Sequence, residues 1–448
     1  MGTLSLLKKY NVAAPRYTSY PTVPYWDVEQ FTTDEWLNAL TINYAENGSN
    51  GISVYIHLPF CESLCTYCGC NTRITKNHGV EIPYIQTVIK EWKMYCGVLG
   101  ETPKIKELHL GGGTPTFFSA ANLKTLLEAI LGTQQSSNEI ECSFEGHPDN
   151  TTAEHLETLY QFGFKRVSLG IQDFDPQVQL MINRFQTVEQ VATITNKARK
   201  IGYESINFDL IYGLPFQNLN GLAATIKEVI NLKPDRIAFY SYAHVPWLKP
   251  GQRRYTEKDI PKENEKFALY HIGRDMLIKA GYKEIGMDHF ALTSDSLFKA
   301  IENKSLHRNF MGYTHQTTTM LLGLGVSSIS DSGNAFAQNI KTVEPYLEAI
   351  NNGSFALDKG HILTDFDIYV RKHILNLMCQ NETNFNNEIP SIIRERLAPM
   401  IADEIVVLDD HSVVVSEIGK SFLRNICMAF DERLWQKQPT TAVFSAAI

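Results

Sequence analysis

From residue 51 onward, apolar positions fall into two alternating patterns. Short extended runs cover 52–58, 105–110, 140–144, 166–171, 206–212 and 237–242. Between them, apolar residues recur at helical spacing over 83–95, 120–131, 153–162, 188–201 and 222–232. Six strands separated by helices predict an α/β fold built on a parallel sheet with crossover helices. Six units suit a partial barrel better than a closed eight-stranded one, and the count alone leaves an open doubly wound sheet standing. In either architecture ligands meet the carboxyl ends of the strands.

The flanks read differently. Residues 1–45 are poorly periodic and rich in Tyr and Pro, which predicts an extended arm packed on the main body. Thr32-Thr33-Asp34-Glu35 marks a helix start before Trp36 and Leu40. The arm can also cover a site and lend Arg16 to an anionic ligand. Beyond the sixth strand, 264–280 reads as helical, 282–290 as extended, and 307–329 as loop, being rich in Gly, Thr and Ser. From 362, two helices precede a hairpin over 404–415 that turns at Asp409-Asp410-His411-Ser412, and a helix over 420–431 follows. Such an arrangement is winged-helix-like; without a basic recognition helix it reads as a structural lid. The expected organisation is an N-terminal arm (1–45), a partial barrel (46–290), a connecting pocket segment (291–360) and a mainly helical C-terminal domain (361–448).

The first strand runs directly into Cys61-Glu62-Ser63-Leu64-Cys65-Thr66-Tyr67-Cys68-Gly69-Cys70. Four thiols so close together read as ligation. Zinc usually takes two cysteine pairs separated by a longer arm. Thiolates at CxxxCxxC on one loop can instead hold three irons of a 4Fe-4S cubane and leave the fourth open to an outside ligand. Cys70 is a further candidate for that fourth iron, less suited by its closeness to Cys68. Cys96, Cys142, Cys379 and Cys427 are isolated and read as buried fillers in a reducing compartment.

Later strand ends carry more chemistry. Gly111-Gly112-Gly113-Thr114-Pro115 removes side chains where a ligand's amino-acid moiety can bind main-chain groups. Glu145, Gln172 and Asp209 lie at or near the next ends, and Arg184 sits in Ile182-Asn183-Arg184-Phe185. An acid there can take ribose hydroxyls, and an arginine can hold a carboxylate.

Composition narrows the class. The 448 residues carry 41 basic and 49 acidic side chains, a formal charge of −8, which gives no general attraction for nucleic acid or acidic membranes. With 44% apolar residues the core is ample. Residues 1–10 hold no apolar h-region and no stretch approaches a membrane span, so a cytoplasmic chain is expected.

CxxxCxYC after an apolar strand resembles the radical S-adenosylmethionine (SAM) enzymes, whose open iron is chelated by the amino and carboxylate groups of SAM. With Gly69-Cys70-Asn71 the loop is similar to that of the oxygen-independent coproporphyrinogen III oxidase family of anaerobic haem synthesis. The resemblance runs from Pro15 to Met428, through Tyr242-Ala243-His244-Val245-Pro246, Gly286-Met287-Asp288-His289-Phe290 and His307-Arg308-Asn309-Phe310.

It implies a six-unit partial barrel of radical SAM type, one 4Fe-4S cluster on Cys61, Cys65 and Cys68, and two SAM molecules. Tyr55, Gly112, Glu145 and Ile329 match contacts to the cluster-bound SAM. Tyr67, Gly113, Thr114, Gln172, Arg184, Asp209 and Ala243 match those around the second. The implied substrate is coproporphyrinogen III, whose propionates would meet Arg16, Arg73, His289, His307 and Arg308, with Cys70 nearby. Also implied are a low-potential electron donor of flavodoxin or ferredoxin type and a monomer. Glu145-Gly146-His147-Pro148 and Met311 depart from the family's common pattern, which puts pocket details in doubt. Two rivals are a haem chaperone, which typically lacks the fourth cysteine, and a metal-stabilised nucleic-acid-binding protein, which the acidic charge disfavours.

Overall fold

Strands form where the apolar runs lie: β1 (Ile52–Leu58), β2 (Ile105–Gly112), β3 (Glu141–Gly146), β4 (Phe164–Gln172), β5 (Ser205–Tyr212) and β6 (Arg236–Ser241). The computed structural model describes residues 3–132, 134, 139–437 and 444. The six strands are parallel and adjacent in chain order, with helices Glu81–Leu99, Ala120–Leu131, Ala153–Gln161, Val188–Ile201 and Leu219–Leu232 among their crossovers. Local sequence sets where several of these helices begin. Ser119, Thr152, Thr187 and Asn218 each accept a first-turn N–H that would otherwise lack a partner.

Six more strands extend the sheet: β7 (Lys283–Gly286), β8 (His289–Ala291), β9 (Leu321–Leu324), β10 (Ile329–Asp331), β11 (Ala335–Asn339) and β12 (Leu357–Ile362). The spatial order is β12-β11-β10-β9-β1-β2-β3-β4-β5-β6-β8-β7, an open sheet. β9 runs parallel to β1, so the parallel set has seven members, flanked by antiparallel strands on both sides. The expected loop over 307–329 is therefore corrected. It contains the hairpin His307–Asn309/Gly312–Thr314, the whole of β9 and the first residue of β10. Its small residues are there for close backbone approach: a Cβ on Gly323 would lie 2.5 Å from the Ile329 carbonyl oxygen. The turn after β9 is fixed by the buried Glu91 carboxylate, which accepts from Gly325 N–H (2.7 Å), Asn339 Nδ2 (2.6 Å) and Tyr346 Oη (2.6 Å).

The two faces of the parallel sheet differ in kind. On the outer face Val54, Ile56, Leu108, Leu110, Phe144 and Phe208 are fully buried against the helices. On the inner face polar side chains stand in rows. Tyr55, His109, Ser143, Arg166 and Ser205 are in register across five strands, and Glu145, Ser168, Asn207 and Arg236 across four. The sheet thus encloses a polar interior instead of an apolar core.

A second core joins the two ends of the chain. The predicted extended arm holds a helix, Thr3–Tyr10, whose Leu6, Leu7 and Tyr10 pack in one cluster with Ile285, Leu377, Phe422 and Leu423. Eight residues are too few to be helical alone, so packing supplies the stability that periodicity did not announce. The helix start at Thr32 is present as a reciprocal cap with Glu35. C-terminally, helices Asp365–Gln380 and Ser391–Ala402 accompany a sheet of three short strands, Glu382–Asn384, Val406–Leu408 and Ser412–Val415. The expected helix over 420–431 is shorter, a single turn of 3₁₀ helix leading into Leu423–Met428. In the second of the two helices, Arg394 donates to the Asp409 and Asp410 carbonyls and Arg396 pairs with Glu432. Its arginines thus bind within the domain. Among the described residues no helix is long and apolar enough to cross a membrane.

Arg236 Nε donates to both carboxylate oxygens of Asp295 at 2.8 Å, and Ser205 Oγ joins at 2.8 Å. The group ties β5 and β6 to helix Ser296–Glu302 beneath the sheet's interior. Asp295→Ala leaves the Arg236 charge buried without its partner. An unfolding free energy lower by about 3–5 kcal/mol is expected by denaturant titration, and a loss under 1 kcal/mol would show the pair to be dispensable.

Candidate active site

The cysteine loop is held by what surrounds it. Phe60–Cys61 pairs with Arg73–Ile74, and Gly113 N–H and Thr114 N–H donate to the carbonyls of Leu58 and Phe60 at 2.9 and 3.1 Å. This approach needs glycine: a Cβ on Gly113 would lie 2.5 Å from the Pro59 carbonyl oxygen. Gly112 has φ +115, and a Cβ there would meet the His57 ring at 2.9 Å. From the far side, Thr66 N–H donates to Ile182 O (2.9 Å) and Asn183 Nδ2 to Leu64 O (2.8 Å). The glycine-rich end of β2 and the turn at Asn183 thus hold the loop between them.

The four cysteines open onto a cavity of about 710 Å³. Thr114 Oγ1 lies 3.3 Å from Cys61 Sγ, and Arg184 Nη1 lies 3.6 Å from Cys65 Sγ. Burial pushes the Cys61 thiol up to about 11, opposed by the Thr114 hydroxyl. A hydrogen bond with Cys70, helped by the Lys249 and Arg184 charges, draws Cys68 down to about 6. Among the described residues, no three His, Cys, Asp or Glu side chains are grouped as a single-ion site. A cubane makes a different demand: each thiolate takes a different iron, so three sulfurs spaced around one cavity fit it.

Of the expected cofactor contacts, Tyr67, Gly112, Gly113, Thr114, Glu145, Gln172, Arg184 and Asp209 line this cavity. Gln172 ends β4 in the left-handed region, φ +66. Arg184 Nε and Nη2 both donate to Gly170 O, at 3.1 and 2.5 Å, so its fork is anchored on the backbone. Asp209 accepts from Ser168 Oγ (2.9 Å) and Asn207 Nδ2 (2.8 Å). Burial, then the Glu145 charge, pushes Asp209 up to about 6.

Three expected contacts stand outside the lining. Tyr55 stacks against His109 and its hydroxyl lies 3.0 Å from His57 Nδ1. Ala243 follows β6, and its carbonyl accepts from Gln252. Ile329 packs with Trp26, Phe336 and Leu363.

The candidate substrate residues separate. Arg73 pairs with Glu344 on the surface, both side chains more than half exposed. His307 lies in the hairpin opposite Thr314. His289 lines the cavity, but burial and the Arg308 and Arg16 charges push it down to about 4. Its Nδ1 donates to Met287 O at 2.7 Å, so in the free protein the neutral ring's Nε2 is an acceptor. Arg16 Nη1 pairs with Asp288 Oδ2 at 3.2 Å. Arg308 is buried, stacks on Tyr313 with its guanidinium carbon 4.6 Å from the ring centroid, and donates from Nη2 to Arg16 O at 3.4 Å. Among the described residues its Nε and Nη1 have no hydrogen-bond partner.

Sequence reasoning overlooked most of the cavity's floor. His109, Ser143, Arg166, Ser168, Asn207, Arg236 and Tyr240 all line it. The signal was present as polar residues at every second position of the strands, for example Glu141, Ser143 and Glu145. The two departures, His147 and Met311, also line the cavity. Burial and the Arg184 charge push His147 down to about 3, so it is a neutral group there.

Comparison with known proteins agrees with this geometry. Residues 55–229 match the radical SAM superfamily, a superfamily that implies a 4Fe-4S cluster and SAM. The chain is 37% identical to the oxygen-independent coproporphyrinogen III oxidase of Pseudomonas aeruginosa over 441 residues, 96% of this chain and 95% of that one. It is 37% identical to that of Escherichia coli over 452 residues, covering 97% and 96%. The solved structure of coproporphyrinogen III oxidase from Escherichia coli, described as a radical SAM enzyme, superposes with a TM-score of 0.89 at 35% identity, covering 96% of this chain and 98% of that one. Likeness of this extent, over the cysteine loop and both flanking regions, places the chain in the oxygen-independent coproporphyrinogen III oxidase family of the radical SAM superfamily.

Proposed function

We propose that this chain converts two propionate side chains of coproporphyrinogen III to vinyl groups without oxygen, giving protoporphyrinogen IX. The observation that carries the reading is one cavity with a CxxxCxxC loop at its mouth, in a chain alike over nearly its whole length to curated oxidases of that activity. When bound, the cluster and SAM supply a one-electron cleavage that yields a 5′-deoxyadenosyl radical able to take a hydrogen atom from a propionate β-carbon, after which carbon dioxide and one electron leave.

The chain's own residues bind, orient and shield. Cys61, Cys65 and Cys68 hold the cluster. Gly112 would offer main chain to the amino-acid end of the cluster-bound SAM and Glu145 a carboxylate to its donors, while Asp209 would accept from ribose hydroxyls of a second SAM. A second SAM in the same cavity is supported by Tyr67, Gly113, Thr114, Gln172, Arg184 and Asp209 along its wall. Arg308, with two buried N–H donors lacking an acceptor among the described residues, supports a propionate site shared with Arg16. The expected electron donor is a low-potential flavodoxin or ferredoxin. A cytoplasmic location fits the eight unpaired cysteines, and a monomer is the expected state.

Anaerobic assay of the iron-reconstituted, reduced protein with SAM and coproporphyrinogen III is expected to give both protoporphyrin and 5′-deoxyadenosine, and Cys65→Ala to abolish both. Deoxyadenosine without protoporphyrin would reject the substrate. Arg308→Met is expected to raise the KM for coproporphyrinogen III about 10- to 100-fold, the value of a charge-assisted hydrogen bond, with cluster content unchanged; an unaltered KM removes Arg308 from the site. Asp209 is ionised above about 6, and its proton competes with ribose donors. SAM affinity should therefore fall as pH drops below that value, and Asp209→Asn should weaken binding and flatten the profile. A wild-type affinity constant from pH 5 to 8 contradicts this role.

A further inference from the structure

A second cavity of about 480 Å³ lies against the first. Arg16 and Asp288 line the second, Tyr240 and His289 line the first, and the Arg16 guanidinium carbon is 5.9 Å from the Tyr240 ring centroid. These side chains form the wall between them. The second cavity is built from the N-terminal helix, the end of β6, helix Glu263–Lys279 and the segment before Leu423–Met428. None of the residues matched to the cluster or to SAM lines it.

Its lining combines apolar surface with charge of both signs, Glu263, Glu284, Glu382 and Glu417 standing among its basic side chains. Tyr212, Tyr270 and Leu423 give flat apolar surface, while Arg16, Lys266 and Arg424 converge with Asp288 facing Arg16. Lys266 has three donors, and among the described residues its one protein acceptor is Tyr242 O at 2.9 Å. Burial and the Arg16 and Arg424 charges push Lys266 down to about 8, opposed by Asp288 and Glu263.

We propose that this cavity is a binding site for an amphipathic carboxylate, its apolar body on Tyr212 and Tyr270 and its carboxylate on Lys266. Pockets of this size, mainly apolar with a few converging polar groups, are what such ligands occupy. A partly buried ammonium with donors to spare gains from a carboxylate, which supplies both an opposite charge and the missing acceptors. The same chemistry is offered by a tetrapyrrole propionate held outside the reaction cavity and by a smaller aryl or alkyl acid.

The test uses cluster-loaded protein and 1-naphthoate, followed by fluorescence, with coproporphyrin III and its tetramethyl ester as competitors. Saturable binding is expected, weakened at least tenfold by Lys266→Met and largely kept by Lys266→Arg. Asn264→Trp, an exposed position at the cavity's edge, should weaken it as well without touching the interior. Displacement by coproporphyrin III but not by the ester identifies a tetrapyrrole as the occupant; failure of both to displace naphthoate identifies a smaller acid. The proposal is overturned if neither naphthoate nor coproporphyrin III binds in a way that Lys266→Met and Asn264→Trp weaken.

Discussion

The inner face of the parallel sheet is polar, and the rest of the molecule is arranged around that constraint. Polar groups withdrawn from bulk water must find partners or lose free energy, and here they find them sideways along the rows. His109 Nδ1 meets Ser143 Oγ at 2.7 Å, Ser168 and Asn207 both serve Asp209, and Glu107 takes Ser53 and Thr314. Partners fixed in this way leave few side chains free to collapse inward, so the sheet keeps a cavity that apolar residues would have filled. The opposite face supplies the stability, with fully buried Ile, Leu and Phe under the helices.

On such a scaffold the chemistry has one place to go. The cavity opens at the carboxyl ends of the strands, and the backbone approach between β2's glycines and Pro59–Phe60 fixes where the thiols stand. A methyl group at Gly113 would push the two segments apart and carry Cys61 with them. The glycines therefore act first on the cysteines, and their exposure of main chain to a ligand follows from the same absence of side chains.

Much of this was legible from the chain. Strong periodicity made the six strands and their helices plain, and a four-cysteine loop admits few readings. What stayed hidden was short or depended on tertiary packing. β9 is four residues of Leu and Gly that pair with β1 across more than 260 positions, and no local pattern separates it from a loop. Helix Thr3–Tyr10 exists because the C-terminal core receives Leu6 and Leu7. The polar rows were visible but read as strands alone, since alternation within one strand does not say which of its faces meets a cavity. For His289 the motif names the side chain, while burial and the hydrogen bond to Met287 set its charge in the free protein.

The wall between the two cavities carries an electrostatic argument of its own. Beside that wall, Arg308 presents two donors with no acceptor among the described residues, and Arg16 has one carboxylate partner, Asp288. Positive charge and unsatisfied donors at one buried place are unfavourable in the free protein. They become favourable when a carboxylate arrives, because it supplies at once the charge and the acceptors that are missing. An anion is thereby selected over a neutral analogue of the same shape, since the analogue leaves the donors as they were.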